Sequence, residues 1–383
     1  MMRPMKLAGN ELLFGKDVME HLLVMPMTRV SIVIGGSSVK KNGALEAVTS
    51  RLDSRKIPWN LIEGVSQEPH WHTVLEGGQA MMDFQPDWII ALGGGSVMDA
   101  AKAMWIVYEH PELKSLEEIL TTKPFPKLRN KARMCCIPTT SGTASEVSRS
   151  IVISDDEAGM KHGLGNMEMM PDVALCAPEW TLSMPPHVTA ETGMDALTHA
   201  IEAYVSLRAN RVSDILAEAA IDDIFRYLVP AYEDGEQWEA REGMLVASMV
   251  AGMSFTNVSL GITHSMSHTL GGYFNLPHGL LNAVLLPYVI DFNSKDPTAK
   301  AKYDSLAKKH GQSSLSALVR EMNRKMKIPA AIGALVPDAK TYEARILEMA
   351  KMSKADGCTK TNPIIPTEEE FVQLLKKVYG GVQ

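Results

Sequence analysis

The hydrophobic pattern changes once along the chain. Up to about Pro186, short apolar and β-branched runs alternate with helical stretches. The segment VSIVIGG (Val30 to Gly36) predicts a strand closing on a glycine turn, WNLIEG (Trp59 to Gly64) a second, and DWIIALGGG (Asp87 to Gly95) a third. The third is apolar along its length, which suits a parallel strand covered on both faces. The stretch after it, SVMDAAKAMWIVY, puts Val97, Ala101, Met104 and Ile106 along one side of a helix. RMCCIPTTSGT (Arg133 to Thr143) opens as a fourth strand and breaks at Pro138. Strands alternating with helices imply a parallel sheet wound by right-handed crossovers.

After Pro185-Pro186 the strand pattern stops. ETGMDALTHAIEAYV, SDILAEAAIDDIFRYLV and WEAREGMLVASMVAGMSF carry helical spacing, with stops at Pro230, Pro277 and Pro287. The expected fold is therefore an α/β N-terminal nucleotide-binding domain with a parallel sheet, residues 1–186, followed by an all-α C-terminal domain, residues 187–383. The chain has 383 residues, so each half is long enough to bury its own core.

Composition narrows the function. A formal net charge of -7 argues against a surface that grips nucleic acid or an anionic membrane. No apolar run reaches the roughly 18 residues of a membrane span, and no basic start precedes an apolar stretch. Cys135, Cys136, Cys176 and Cys358 form no CxxC pair; they read as reduced thiols of a cytoplasmic protein.

Two loops suit phosphate. Gly93-Gly94-Gly95-Ser96 closes a strand and opens a helix, where bare backbone N–H groups and the helix dipole favour an anion. Thr139-Thr140-Ser141-Gly142-Thr143 follows the next strand and crowds hydroxyls beside a glycine. Either loop alone also serves as a tight turn or a helix cap. Two of them at the ends of separate strands favour one shared nucleotide.

A second constellation suits a metal. Asp195 and His199 lie four apart in GMDALTHAIEAY, so they share a helix face, and His264 and His268 repeat that spacing in GITHSMSH. His278 follows between Pro277 and Gly279. Asp195, His199, His264 and His278 offer one oxygen and three imidazole nitrogens, a set that suits Fe²⁺ or Zn²⁺ and leaves a position for substrate. A lone His pair on a helix is more often simply packed; a second polar pair on another apolar helix shifts the balance. Ala196 and Ser265 stand where HExxH would carry its glutamate, so this is not a metallopeptidase pattern.

GGGSVMDAAKAM, PTTSGTASEVS, MPPHVTAETGMDALTHAIEAYVS and GITHSMSHTLGGYFNLPHG, in that order, resemble the iron-containing (group III) alcohol dehydrogenase family. FQPDWII, AMWIVYEHPE and DGCTKTNP resemble its NADPH-type butanol and short-chain alcohol dehydrogenases in particular. The resemblance implies a dehydroquinate synthase-like fold and a hydride passed between NAD(P)H and a small primary alcohol or aldehyde. It implies that Asp195, His199, His264 and His278 hold Fe²⁺, alternatively Zn²⁺, with His268 beside the metal as a proton relay. It places Gly94, Gly95, Ser96, Val97, Asp99, Thr139, Thr140, Thr143 and Lys161 along the dinucleotide, and it implies a homodimer or larger homo-oligomer. Dehydroquinate synthase and glycerol dehydrogenase are the alternatives on this fold. The first is disfavoured by the lack of a dense Lys/Arg cluster, the second by the three-histidine, one-aspartate set.

Relatives that use NAD often carry an aspartate where Gly36 stands, and a carboxylate there binds the ribose hydroxyl and repels a 2′-phosphate. GGSSVKKNG contains no acid. Gly36, Ser37, Ser38, Lys40 and Lys41 would welcome that phosphate, so NADP(H) is expected ahead of NAD(H). Three other departures are Gln67-Glu68-Pro69-His70 in place of a Pro-Asn-Pro or Pro-Asp-Pro turn, Ala144 in place of glycine, and Ile364 in place of arginine.

Overall fold

The computed structural model describes residues 4–66, 69–155 and 160–381, so the Gln67-Glu68 departure lies outside the described residues. The chain divides into two compact units, Met1–Met184 and Pro185–Gln383.

Among the described residues the first unit is built on eight strands: β1 (Glu11–Phe14), β2 (Val30–Ile34), β3 (Trp59–Ile62), β4 (Trp88–Gly93), β5 (Arg133–Pro138), β6 (Ser150–Asp155), β7 (Met160–Gly165) and β8 (Val173–Cys176). Six form a sheet in the order β1-β8-β5-β4-β2-β3, every neighbour parallel, while β6 and β7 pair as an antiparallel hairpin. Its helices are α1 (Ser38–Lys41), α2 (Ala44–Ser54), α3 (Trp71–Phe84), α4 (Gly95–Glu109) and α5 (Leu116–Thr121).

Strand residues alternate between two cores. Val33, Ile89, Ala91, Met134 and Cys136 pack on the α3 and α4 side, and Ile32, Ile34, Ile90, Leu92 and Ile137 on the α2 side. This double cover explains why β2 and β4 are buried at every position. The edge strand β1, its neighbour β8 and the hairpin were not foreseen. Two are only four residues long, and MKHGLG in β7 lacks an apolar period.

The expectation of one apolar side on α4 is corrected. From Val97 to Glu109 the helix is buried nearly all round, Lys102 included, because α3, β4 and the β6 hairpin strand all pack on it. Small residues at Ala100, Ala101 and Ala103 permit that close wrapping.

The second unit is all helix and irregular chain among the described residues: α6 (Pro186–Val205), α7 (Arg211–Glu233), α8 (Trp238–Val258), α9 (Ile262–Phe274), α10 (His278–Asn293), α11 (Pro297–Lys309), α12 (Leu315–Lys325), α13 (Ala339–Ala355) and α14 (Glu368–Gly380). Helices α6, α7, α8 and α10 share one apolar core, in which Met194, Leu197, Ile201, Ile221, Ile224 and Leu285 are buried. Starts are specified locally: Asn210 and Thr367 close capping boxes, and Asp296, Ser314 and Asp338 cap with their side chains. His278, expected in a turn, is instead the first residue of α10, with Pro277 (φ −58, ψ 130) as the extended residue that caps its start. Among the described residues no single helix is long and apolar enough to cross a membrane. The α8–α9 pair passes only as a pair, bent by 100°.

Candidate functional site

In the helical unit, three segments converge on one carboxylate oxygen. Asp195 and His199 come from α6, His264 from α9 and His278 from α10. The Nε2 atoms of His199, His264 and His278 stand 3.8, 3.7 and 3.6 Å from Asp195 Oδ1. These separations are too long for hydrogen bonds. They suit donors arranged about a shared cation, whose ligand bonds run about 2.0–2.2 Å.

The tautomers agree. His264 donates from Nδ1 to Glu202 Oε2 at 2.6 Å, and His278 Nδ1 lies 2.9 Å from Ser267 Oγ, which leaves each Nε2 lone pair facing Asp195. His199 is stacked on Phe255 at 4.4 Å and on His264 at 4.7 Å.

Glu202 was not singled out in the sequence, although it sits on the face of Asp195 and His199 at i+7. It accepts from Gly261 N at 2.9 Å and Thr263 N at 2.6 Å as well as from His264. Gly261 is required here: a Cβ would lie 2.7 Å from Asn362 Oδ1 and 2.9 Å from Glu202 Oε1. Gly279 likewise packs on the backbone of Glu191, where a Cβ would meet the carbonyl oxygen at 2.3 Å. That contact seats the first turn of α10, and His278 with it.

Charge gives the fit test for a metal. Asp195 and Glu202 are each 3% exposed, and with three neutral imidazoles the cluster carries two negative charges. Burying them uncompensated costs several kcal/mol per ion, so a divalent cation is the natural complement. Burial would raise the Asp195 carboxyl, but His199, His264 and His278 overrule it and hold it far below the usual range. Burial also opposes the His264 imidazolium, yet Glu202 and Asp195 push it up to about 9. Desolvation by its neighbours sends His278 the other way, below an ordinary histidine, although 37% of its side chain stays exposed. One cation is what this site asks for, whether a proton or a metal. Asn282, fully buried, donates from Nδ2 to Asp195 Oδ1 at 2.7 Å and lies 3.1 and 3.3 Å from the Nε2 atoms of His278 and His264. Its Oδ1 has no hydrogen-bond partner among the described residues.

His268 stands beside this cluster. Its ring stacks on His278 at 5.3 Å and its Nδ1 is 2.9 Å from Asp356 Oδ2. Asp356 Oδ1 accepts from Cys358 N at 2.7 Å and Ser265 Oγ at 3.2 Å. Burial would raise Asp356, but the His268 contact keeps it well below its ordinary value. With Nδ1 donating to Asp356, His268 Nε2 is the proton-accepting atom.

In the α/β unit the two glycine and hydroxyl loops meet. Gly93 pairs with Pro138 across β4 and β5, and Thr139 N donates to Gly93 O at 3.0 Å. Gly95 is indispensable for packing: a Cβ there would lie 2.4 Å from Thr143 Cγ2, and one at Gly94 would touch Thr140 Oγ1 at 3.3 Å. Val97 is mostly core, its side chain set against Gly35 and Gly93. Asp99 uses both oxygens within the protein, on Ser145 Oγ at 2.7 Å and Val152 N at 3.0 Å. Ser96 lies in the first turn of α4, and Ser141 Oγ is buried without a partner among the described residues. Lys161 lies in β7 opposite Ser154, with its side chain outside those described. Lys102, unforeseen, is fully buried and binds Ser145 O, Ser145 Oγ, Ser148 O and Ser150 O at 2.7, 2.8, 3.0 and 3.2 Å. Ala144 adopts a left-handed backbone, φ 51, a conformation glycine reaches more easily than alanine.

The carboxyl ends of β2 and β4 are adjacent, Ile34 opposite Leu92. From β2 the chain winds one way to β3 and later the other way to β5, the crevice where open α/β sheets bind ligands. Gly36, Ser37 and Ser38 are exposed there, and a Cβ on Gly36 would meet nothing within 4 Å.

Residues 9–178 match the family model described as iron-containing alcohol dehydrogenase, and residues 189–379 match the C-terminal model of the Fe-containing alcohol dehydrogenase family. The chain belongs to the iron-containing alcohol dehydrogenase family. It is 42% identical to an NADPH-dependent butanol dehydrogenase of Clostridium saccharobutylicum, over 98% of this chain and 97% of that one. It is 37% identical to aldehyde-alcohol dehydrogenase 2 of Entamoeba histolytica, over 91% of this chain but 43% of that longer protein. The iron-containing alcohol dehydrogenase structure from Thermococcus thioreducens superposes with a TM-score of 0.92 at 35% identity, covering 99% and 100% of the two chains. For a member of this family, the donor cluster and the paired loops are the two features that need a chemical role.

Proposed function

We propose that this chain is an iron-dependent alcohol dehydrogenase that moves a hydride between NADP(H) and a small aliphatic alcohol or aldehyde. The carrying observation is the ring of three imidazole Nε2 atoms around Asp195 Oδ1 in a pocket with two buried negative charges. Asp195, His199, His264 and His278 would hold the cation, Fe²⁺ or alternatively Zn²⁺. A cation held there supplies Lewis acidity toward an alcohol or carbonyl oxygen, and a nicotinamide supplies or accepts the hydride. Glu202 fixes the His264 tautomer. His268, oriented by Asp356, takes the alcohol proton at Nε2 and returns it in the reverse direction.

Gly94, Gly95, Ser96, Thr139, Thr140 and Thr143 form the phosphate and ribose surface, with Val97 and Asp99 bracing it from behind. Gly36, Ser37 and Ser38 would border the adenosine ribose. Support for NADP(H) comes from the absence of an acid at Gly36 and from the cofactor named for the Clostridium relative. The relatives favour this reading over a dehydroquinate synthase or glycerol dehydrogenase. A cytoplasmic location suits four cysteines that form no disulfide, and a homodimer or larger oligomer is testable by light scattering.

The test is His264→Ala. It should abolish bound iron by elemental analysis and end NADPH oxidation with butyraldehyde. Full turnover by a metal-free His264→Ala protein would overturn the reading.

A further inference from the structure

The segment after β2 contains no acid, yet the fold brings one to it. Glu63 follows β3, one residue beyond the Val33–Ile62 pair of the parallel register. It therefore stands beside the end of β2, where Gly64 N donates to Gly35 O at 3.2 Å. Gly64 turns the chain away at φ +90, a conformation side chains rarely adopt. Glu63 Oε2 is ion-paired with Lys40 Nζ, the lysine on α1 that follows the exposed Gly36-Ser37-Ser38 segment. Both side chains are about half exposed, 45% for Lys40 and 54% for Glu63. The pair is therefore weak and free to rearrange.

We propose that Glu63 is a specificity-determining residue for the dinucleotide, a carboxylate supplied by the neighbouring strand that competes with a 2′-phosphate for Lys40. This rests on the proposed dinucleotide role of the α/β unit. A 2′-phosphate carries close to two negative charges and binds by drawing Lys40 from Glu63, with Glu63 left nearby as a repulsive charge. A ribose bearing a free 2′-hydroxyl leaves the ion pair intact and brings no charge for Glu63 to repel. The chain consequently accepts both cofactors, and its preference for NADPH is smaller than a lysine-lined site without Glu63 would give.

Equilibrium titration of NADPH and NADH by nucleotide fluorescence tests this without turnover. Glu63→Gln should tighten NADPH about five-fold, the effect of about 1 kcal/mol for one charge pair in water, and leave NADH within two-fold. Lys40→Gln should weaken NADPH by a similar factor and spare NADH. Thermal melts of both variants, which alter only exposed side chains, should match the parent. If the parent binds both nucleotides and Glu63→Gln leaves their affinity ratio unchanged, this inference falls and the dehydrogenase reading stands. If the parent binds neither nucleotide, that reading and this inference fall together.

Discussion

The donor cluster of the helical unit and the glycine and hydroxyl loops of the α/β unit are made of different materials. Around Asp195, function rests on side-chain atoms: imidazoles, carboxylates and an amide, each held by a named neighbour and almost all buried. Around Gly94, what matters is where side chains are missing, so that Thr140 and Thr143 can lie against bare backbone and α4 can present its first turn. A site of the first kind fails when one functional group is removed. A site of the second kind fails when an atom is added.

Asp356→Asn probes the side-chain kind. The amide cannot hold the His268 tautomer as the carboxylate does, so kcat should fall about 100-fold, within the usual range for general acid–base groups. The acidic limb of the pH–rate profile should move while KM for the nucleotide holds. An unchanged profile would mean His268 is not the relay.

Gly95→Ala probes the backbone kind. The added methyl collides with Thr143, and overpacking of this order costs about 1–3 kcal/mol. NADPH affinity should drop about ten-fold, while iron content stays that of the parent. Loss of iron with normal nucleotide binding would reverse the assignment of the two units.

The smallest effect concerns Glu146, which lies in the segment Lys102 holds in place. Burial raises its carboxyl from 4.5 to about 7, against the pull of Lys102. A raised folded-state value means that the protonated form stabilises the fold. That contribution is fully present below pH 4.5 and lost as pH rises through about 7. Between pH 5 and 8 the parent's melting temperature should therefore fall relative to that of Glu146→Gln. Parallel curves would show that Glu146 does not titrate in this range.

Much of this was legible in the chain. Helical period alone paired Asp195 with His199 and His264 with His268, and strand-end placement marked both loops. What escaped has a common cause. Glu202 obeys the same period but looks like any glutamate on a solvated helix face until Gly261 and Thr263 are seen donating to it. Asp356 is 88 residues from His268, and Glu63 is 23 from Lys40. No local pattern links such partners, because the pairing is decided by which helices pack and which strands lie side by side. The side expected to be apolar on α4 was a different miss: small residues let a helix be covered all round, and no period reports that.

Lys102 has one more consequence. Its ammonium binds three carbonyls and a hydroxyl of Ser145–Ser150, so the chain leaving the Thr139–Thr143 loop is tied to the body of α4. The ordering of that loop is completed during folding and is not left for the moment a ligand arrives. A nucleotide bound as proposed would therefore meet a preorganised surface, and the entropy that a floppy loop would have cost it would be retained as affinity.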